Sequence, residues 1–84
     1  MPKKIVHWAA SARAQVAQID RETALNILHA IDDYLTTGVG DVKQLRPPRR
    51  ELRLRVGDYR VFFLAHGVQS IEVLAVKHRR EAYR

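Results

Sequence analysis

The chain has no cysteine, so neither a disulfide framework nor a thiolate metal site can supplement its core. Its four histidines stand at no paired spacing, which leaves no sequence case for a metal site built from them. No cofactor is expected. No apolar run approaches the roughly 20 residues of a membrane-spanning helix. Met1-Pro2-Lys3-Lys4 leads into only Ile5 and Val6 before His7, too short an apolar stretch for a signal peptide. These absences predict a soluble cytoplasmic protein with no membrane partner. There is no internal repeat and no low-complexity tract, and 84 residues have room for one modest core. A single domain over residues 1–84 is expected, held together by burial alone.

Positive charge is plentiful and unevenly placed. Residues 1–41 carry four Lys/Arg against five acids, giving −1, whereas residues 42–84 carry eleven against four, giving +7. One half therefore reads as scaffold and the other as a surface that meets something anionic, either nucleic acid or an acidic protein.

Lys3-Lys4-Ile5-Val6-His7-Trp8 reads as an opening strand, with Trp8 as a core anchor and His7 at the surface. Ser11 is a plausible N-cap for a first helix whose narrow stripe is Ala12, Val16 and Ile19. Asp20 can cap a second helix with a stronger stripe, Ala24, Leu25, Ile27, Leu28, Ile31 and Leu35, ended by Gly38 at a left-handed position. The segment from Gly38 to Arg50, with Pro47-Pro48 and few apolar residues, is expected to be an ordered loop.

Leu52, Leu54 and Val56 alternate with Glu51, Arg53 and Arg55, which assigns them to opposite faces of a strand. Gly57-Asp58 suits a two-residue hairpin turn with glycine first. That turn pairs Val56 with Tyr59, Arg55 with Arg60, Leu54 with Val61, Arg53 with Phe62 and Leu52 with Phe63. The leucines then face the helices and the arginines share an open face. Arg55 opposite Arg60 is a local charge conflict of the kind that marks sites. After a turn at His66-Gly67-Val68-Gln69, Ser70 to Val76 is apolar enough for an interior strand. Its register is not fixed by pattern. Together these readings give an α+β fold: an N-terminal strand, a two-helix hairpin, and a three-stranded antiparallel meander completing one sheet with the helices on one face.

The hairpin Leu-Arg-Leu-Arg-Val-Gly-Asp-Tyr-Arg-Val and the terminal Val-Lys-His-Arg-Arg-Glu-Ala-Tyr resemble those of the RelE/ParE superfamily of toxins from type II toxin–antitoxin operons. The resemblance covers nearly the whole chain and implies a small RelE-like fold. It also implies one of two activities: RelE-like members cut messenger RNA in the ribosomal A site, and ParE-like members inhibit DNA gyrase without nuclease activity. Arg79 followed by Tyr83 near the chain end matches the RelE-like pattern. Arg60 matches the arginine that such enzymes place at the scissile phosphate. Arg53 occupies the second of two basic positions on the preceding strand, and Glu51 stands at the first, where RelE has lysine. A cognate antitoxin with an acidic or amphipathic segment and the ribosome with its messenger RNA are the implied partners, with DNA gyrase as the alternative.

The chemistry accounts for these residue types. Cleavage through the 2′-hydroxyl requires removing its proton, stabilising extra charge on pentacoordinate phosphorus and protonating the departing 5′-oxygen, and none of these steps calls for a metal. Arginine side chains stay protonated, so Arg60, Arg79 and Arg53 suit phosphate clamping and charge stabilisation. Tyr83 offers a ring for stacking on an exposed base and a hydroxyl near the phosphate. His78, Glu51 and Lys77 are candidates for acid/base work. Arg46, Arg49, Arg50, Arg55 and Arg80 suit general phosphate contacts, and Arg46, Arg49 and Arg50 equally suit a rim for antitoxin docking.

Overall fold

In the computed structural model, which describes residues 5–67 and 70–82, the elements in chain order are β1 (Ile5–Trp8), α1 (Ala10–Ala17), α2 (Arg21–Thr37), β2 (Asp41–Gln44), β3 (Leu52–Val56), β4 (Tyr59–Ala65), β5 (Ser70–His78) and α3 (Arg79–Ala82). The strands form one sheet in the order β1-β5-β4-β3-β2. β1 runs parallel to β5, and the remaining neighbours are antiparallel. This is the α+β arrangement expected from sequence, with an additional strand and a short additional helix. Among the described residues, no helix is long and apolar enough to cross a membrane.

The second helix begins and ends where its sequence requires. The Asp20 carboxylate accepts the backbone N–H of Thr23 at 3.0 Å, which meets one of the donors left open in a first turn. Gly38 takes φ +75° and its N–H donates to the Tyr34 carbonyl at 2.8 Å. Ile27, Ile31 and Leu35 form the buried line, and the Tyr34 ring meets the Phe63 ring edge-on with centroids 5.4 Å apart. Leu25 and Leu28 do not join that line and stay 42% and 40% exposed. Each residue turns the helix by about 100°, so a stripe containing both 27 and 28 is wider than one sheet face can cover.

α1 departs from expectation at its start. Ala9, not Ser11, is the N-cap, and no side chain caps this helix. The Ser11 hydroxyl instead donates to the Leu74 carbonyl at 3.0 Å, and one turn later the Gln15 Oε1 accepts the Val76 N–H at 2.7 Å. These contacts meet a specific need of β5. Phe62 pairs with Ala75 whereas Phe63 pairs with Val73, so β5 carries one extra residue at Leu74. β1 pairs with β5 only as far as Val73. The backbone groups beyond that point would have no ladder partner on this edge, and α1 provides them.

The expected loop over Gly38 to Arg50 contains β2, which pairs with β3 through Asp41–Arg55, Val42–Leu54, Lys43–Arg53 and Gln44–Leu52. Val42 is its one aliphatic residue and packs against the core. A four-residue edge strand with a single aliphatic side chain has no period to read, and its pairing is supplied by β3. The β3–β4 register matches the sequence expectation at all five pairs. Gly57 takes φ +56°, as a glycine-first hairpin turn requires.

The core lies between α1, α2 and the sheet: Ala12, Ile27, Ile31 and Leu35 meet Leu54, Val61, Phe63, Ile71, Val73 and Val76. Trp8 is partly buried against it, and His7 is exposed. The opposite face is not open throughout, contrary to expectation. Arg55 is exposed, but Arg60 and Phe62 are each only 6% exposed. Both lie on β4, the middle strand of five, where neighbouring side chains close over them.

Candidate functional site

Strand alternation and register place the polar-face residues in rows. Asp41, Arg55, Arg60 and Lys77 form one row across β2, β3, β4 and β5, and Lys43, Arg53, Phe62 and Ala75 form the next. The conflict between Arg55 and Arg60 is real, but it is bounded on its outer side by Asp41, which only the unforeseen β2 could supply. Lys77 adds a further cation beside Arg60.

Among the described residues, Arg60 is the buried charged side chain. Its Nη1 donates to the carbonyls of Gly57 at 2.9 Å and Tyr59 at 3.0 Å. Its Nε is buried with no partner. An unmet buried donor costs about 1–3 kcal/mol, so the Arg60 Nε is a group that the fold leaves in want of an acceptor. Arg79 is organised by the same turn: its backbone N–H donates to the Asp58 carbonyl at 2.7 Å. Three successive carbonyls, those of Gly57, Asp58 and Tyr59, thus accept from one arginine or the other. The Arg79 Nε lies 3.8 Å from Asp58 Oδ1 with both side chains more than 60% exposed. Such a pair is weak, and Arg79 is readily diverted to a ligand.

The remaining candidates divide between two ends and two faces. Arg53 is half-buried in the row beside Arg60. Glu51 is committed to Arg49, whose Nε donates to its Oε2 at 2.7 Å. His78 is separated from the arginine row because alternation turns it to the other face, opposite Tyr59, where the two rings meet edge-on at 5.4 Å. Its Nδ1 accepts the Arg80 N–H at 3.2 Å, which fixes the ring at the junction of β5 and α3. Arg46 is exposed in the turn at Pro47-Pro48, and its carbonyl accepts the Arg49 N–H at 3.1 Å. Arg50 is exposed near Gln44 and His66, toward the other end of the sheet, and Arg80 is exposed on α3. Tyr83 lies outside the described residues.

Sequence reasoning overlooked the surroundings of these cations. Beside the row lies a cavity of about 250 Å³ bordered by Glu51, Phe62, Lys77 and Glu81. The Arg49 guanidinium stands 5.8 Å from the Phe62 ring centroid. The alternation of Arg60, Phe62 and Leu64 along β4 was a signal for Phe62. Glu81 had none, because the β5 register that leads to it could not be fixed.

Residues 6–83 match the family model of the ParE toxin of type II toxin–antitoxin systems, parDE. The chain belongs to this family. Solved structures agree with the fold. A chain of an archaeal RelE–RelB complex from Pyrococcus horikoshii is 22% identical, with 94% of this chain and 98% of that one covered at a TM-score of 0.74. A RelB–RelE antitoxin–toxin complex from Methanococcus jannaschii gives 20% identity, 92% and 94% coverage and 0.73. A chromosomal ParDE system from P. aeruginosa gives 18%, 89% and 95%, and 0.55. No curated protein sequence shows a significant match. The chain is thus a type II toxin of the RelE/ParE superfamily, in which members of both branches share this sheet and helix arrangement.

Proposed function

We propose that this toxin is a ribosome-dependent endoribonuclease that cleaves messenger RNA by attack of a 2′-hydroxyl on the adjacent phosphate. The observation that carries the reading is Arg60: a buried guanidinium fixed by two turn carbonyls, with its Nε unmet, beside Lys77 and at the turn that also holds Arg79. Preorganised donors of this kind favour the charge that develops on a pentacoordinate phosphorus more than the charge of the ground state. In the reaction the 2′-oxygen loses its proton and bonds to phosphorus, and the bond from phosphorus to the 5′-oxygen breaks. That oxygen takes up a proton, leaving a cyclic phosphate and a 5′-hydroxyl. Arg60 and Arg79 hold the non-bridging oxygens. Lys77 is placed to exchange a proton from the same row, whereas Glu51 is occupied by Arg49 and His78 sits on the other face. Tyr83 is assigned the stacking role on the RelE-like pattern alone.

The family match favours a second reading, inhibition of DNA gyrase without catalysis. The two readings predict different lesions after induced expression. Mapping RNA 5′ ends beside an assay for DNA breaks distinguishes them: truncated messages at codon-related positions with intact DNA support the nuclease. DNA breaks with intact messages reject it. The partner that silences the toxin is a cognate antitoxin whose acidic or amphipathic segment covers the basic half, an assignment supported by the +7 charge of residues 42–84.

A further inference from the structure

The cavity beside the arginine row has features that phosphate binding does not use. Its floor is apolar, made by Phe62, Leu74 and Ala75. Over the Phe62 ring stands the Arg49 guanidinium, 5.8 Å from the centroid, tethered by the bond that its Nε donates to Glu51. A guanidinium plane is a surface on which proteins stack unpaired bases, and the Phe62 ring, itself buried, supports it from behind. The volume of about 250 Å³ suits one nucleobase with part of its ribose. Lys77 lines the cavity and is also the cross-strand neighbour of Arg60. A base in the cavity therefore delivers its own phosphate to the arginine row.

The polar wall selects among bases. Glu81 lines the cavity from α3, and among the described residues it takes part in no ion pair. A carboxylate accepts two parallel N–H bonds. Guanine alone presents two adjacent donors on its pairing edge, a ring N–H and an exocyclic amine. Adenine and cytosine offer the amine without the ring N–H, and uracil offers one N–H between two carbonyl oxygens that a carboxylate repels. A cationic side chain from a protein partner suits the site less well, because Arg49 and Lys77 border it too.

We propose that this cavity is a guanine subsite, with Glu81 as its specificity-determining residue and the Arg49 guanidinium, backed by the buried Phe62 ring, as its stacking surface. The proposal rests on the RNA-cleavage reading for its purpose, and the test separates the two. The four nucleoside 5′-monophosphates are titrated into the full chain by calorimetry and by NMR. GMP is expected to bind at least about tenfold more tightly than UMP, as one bidentate pair implies, with shifts centred on Phe62 and Ala75. Glu81→Gln is expected to abolish most of that preference, and Ala75→Leu, which fills the floor, to weaken all four nucleotides together. In mapped cleavage products, guanine is expected at a fixed offset from the cut, and the bias is expected to fade in Glu81→Gln. A GMP preference without RNA cleavage keeps the subsite and removes the nuclease. Cleavage with no guanine bias and equal affinity for the four nucleotides overturns the subsite alone, as does a preference that Glu81→Gln leaves intact.

Discussion

The two faces of β4 are almost equally buried and are built to opposite ends. Toward the helices, Val61 and Phe63 are 0% and 1% exposed, and on the other side Arg60 and Phe62 are each 6% exposed. Burial therefore does not separate core from site in this molecule. What separates them is whether the buried groups lack anything. Val61 and Phe63 need only contact, which α2 and the neighbouring strands supply. Arg60 has one nitrogen satisfied twice and another not at all. The first face has every need met, and the second does not.

The largest expected effect tests the complete face. Phe63→Ala should destabilise the protein by about 3–5 kcal/mol, the usual cost of deleting a fully buried ring. Phe62→Ala, one residue along but beside the cavity, should cost less. Urea denaturation of the two variants measures the difference, and equal losses would show that the faces do not differ in packing. Next, Arg60→Met should slow RNA cleavage by two or more orders of magnitude, since one preorganised donor contributes about 3 kcal/mol to the barrier. Its melting temperature should change little, because the bonds lost to the two turn carbonyls are offset by removal of an unmet buried donor. Loss of activity together with loss of stability would make Arg60 structural.

A smaller effect concerns the edge that joins the faces. Gln15→Leu leaves the Val76 N–H without its acceptor, and a loss of about 1–3 kcal/mol is expected in the same denaturation assay. The smallest lies far from the site. Hydrogen bonds from the Thr23 side chain, and then from its backbone N–H, hold the Asp20 carboxyl below its ordinary value. A depressed carboxyl stabilises the fold above its unfolded-state value and loses that contribution as pH falls through the folded one. Asp20→Asn should therefore flatten the acid limb of stability below about pH 4, the ordinary carboxyl value, measured by thermal melts, with little change at neutrality.

The hairpin from Leu52 to Phe63 was legible down to its residue pairs, because a two-residue period and a glycine-first turn leave a single register. The ends of α2 were legible for a similar reason, since Asp20 and Gly38 each perform a local task. Features that depend on distant partners were not. β2 exists because β3 offers it an edge, Ser11 serves a strand more than sixty residues away, and the shielding of Arg60 depends on the middle position of β4. In the site, Arg60, Arg55 and Lys77 were readable as cations, but their common row depends on the β5 register. The separation of His78 from that row depends on the same register.

The extra residue at Leu74 acts as a phase shift in the chain. Before it, alternate positions Ile71 and Val73 enter the core; after it, Val76 does, three residues on. Removing that one residue would leave Val73, Ala75 and Val76 opposite Phe63, Phe62 and Val61 in an unbroken ladder, with Val76 still toward the helices and Lys77 still toward the cations. What would go is the carbonyl that accepts the Ser11 hydroxyl. In a folding assay, deletion of Leu74 should therefore leave a folded protein.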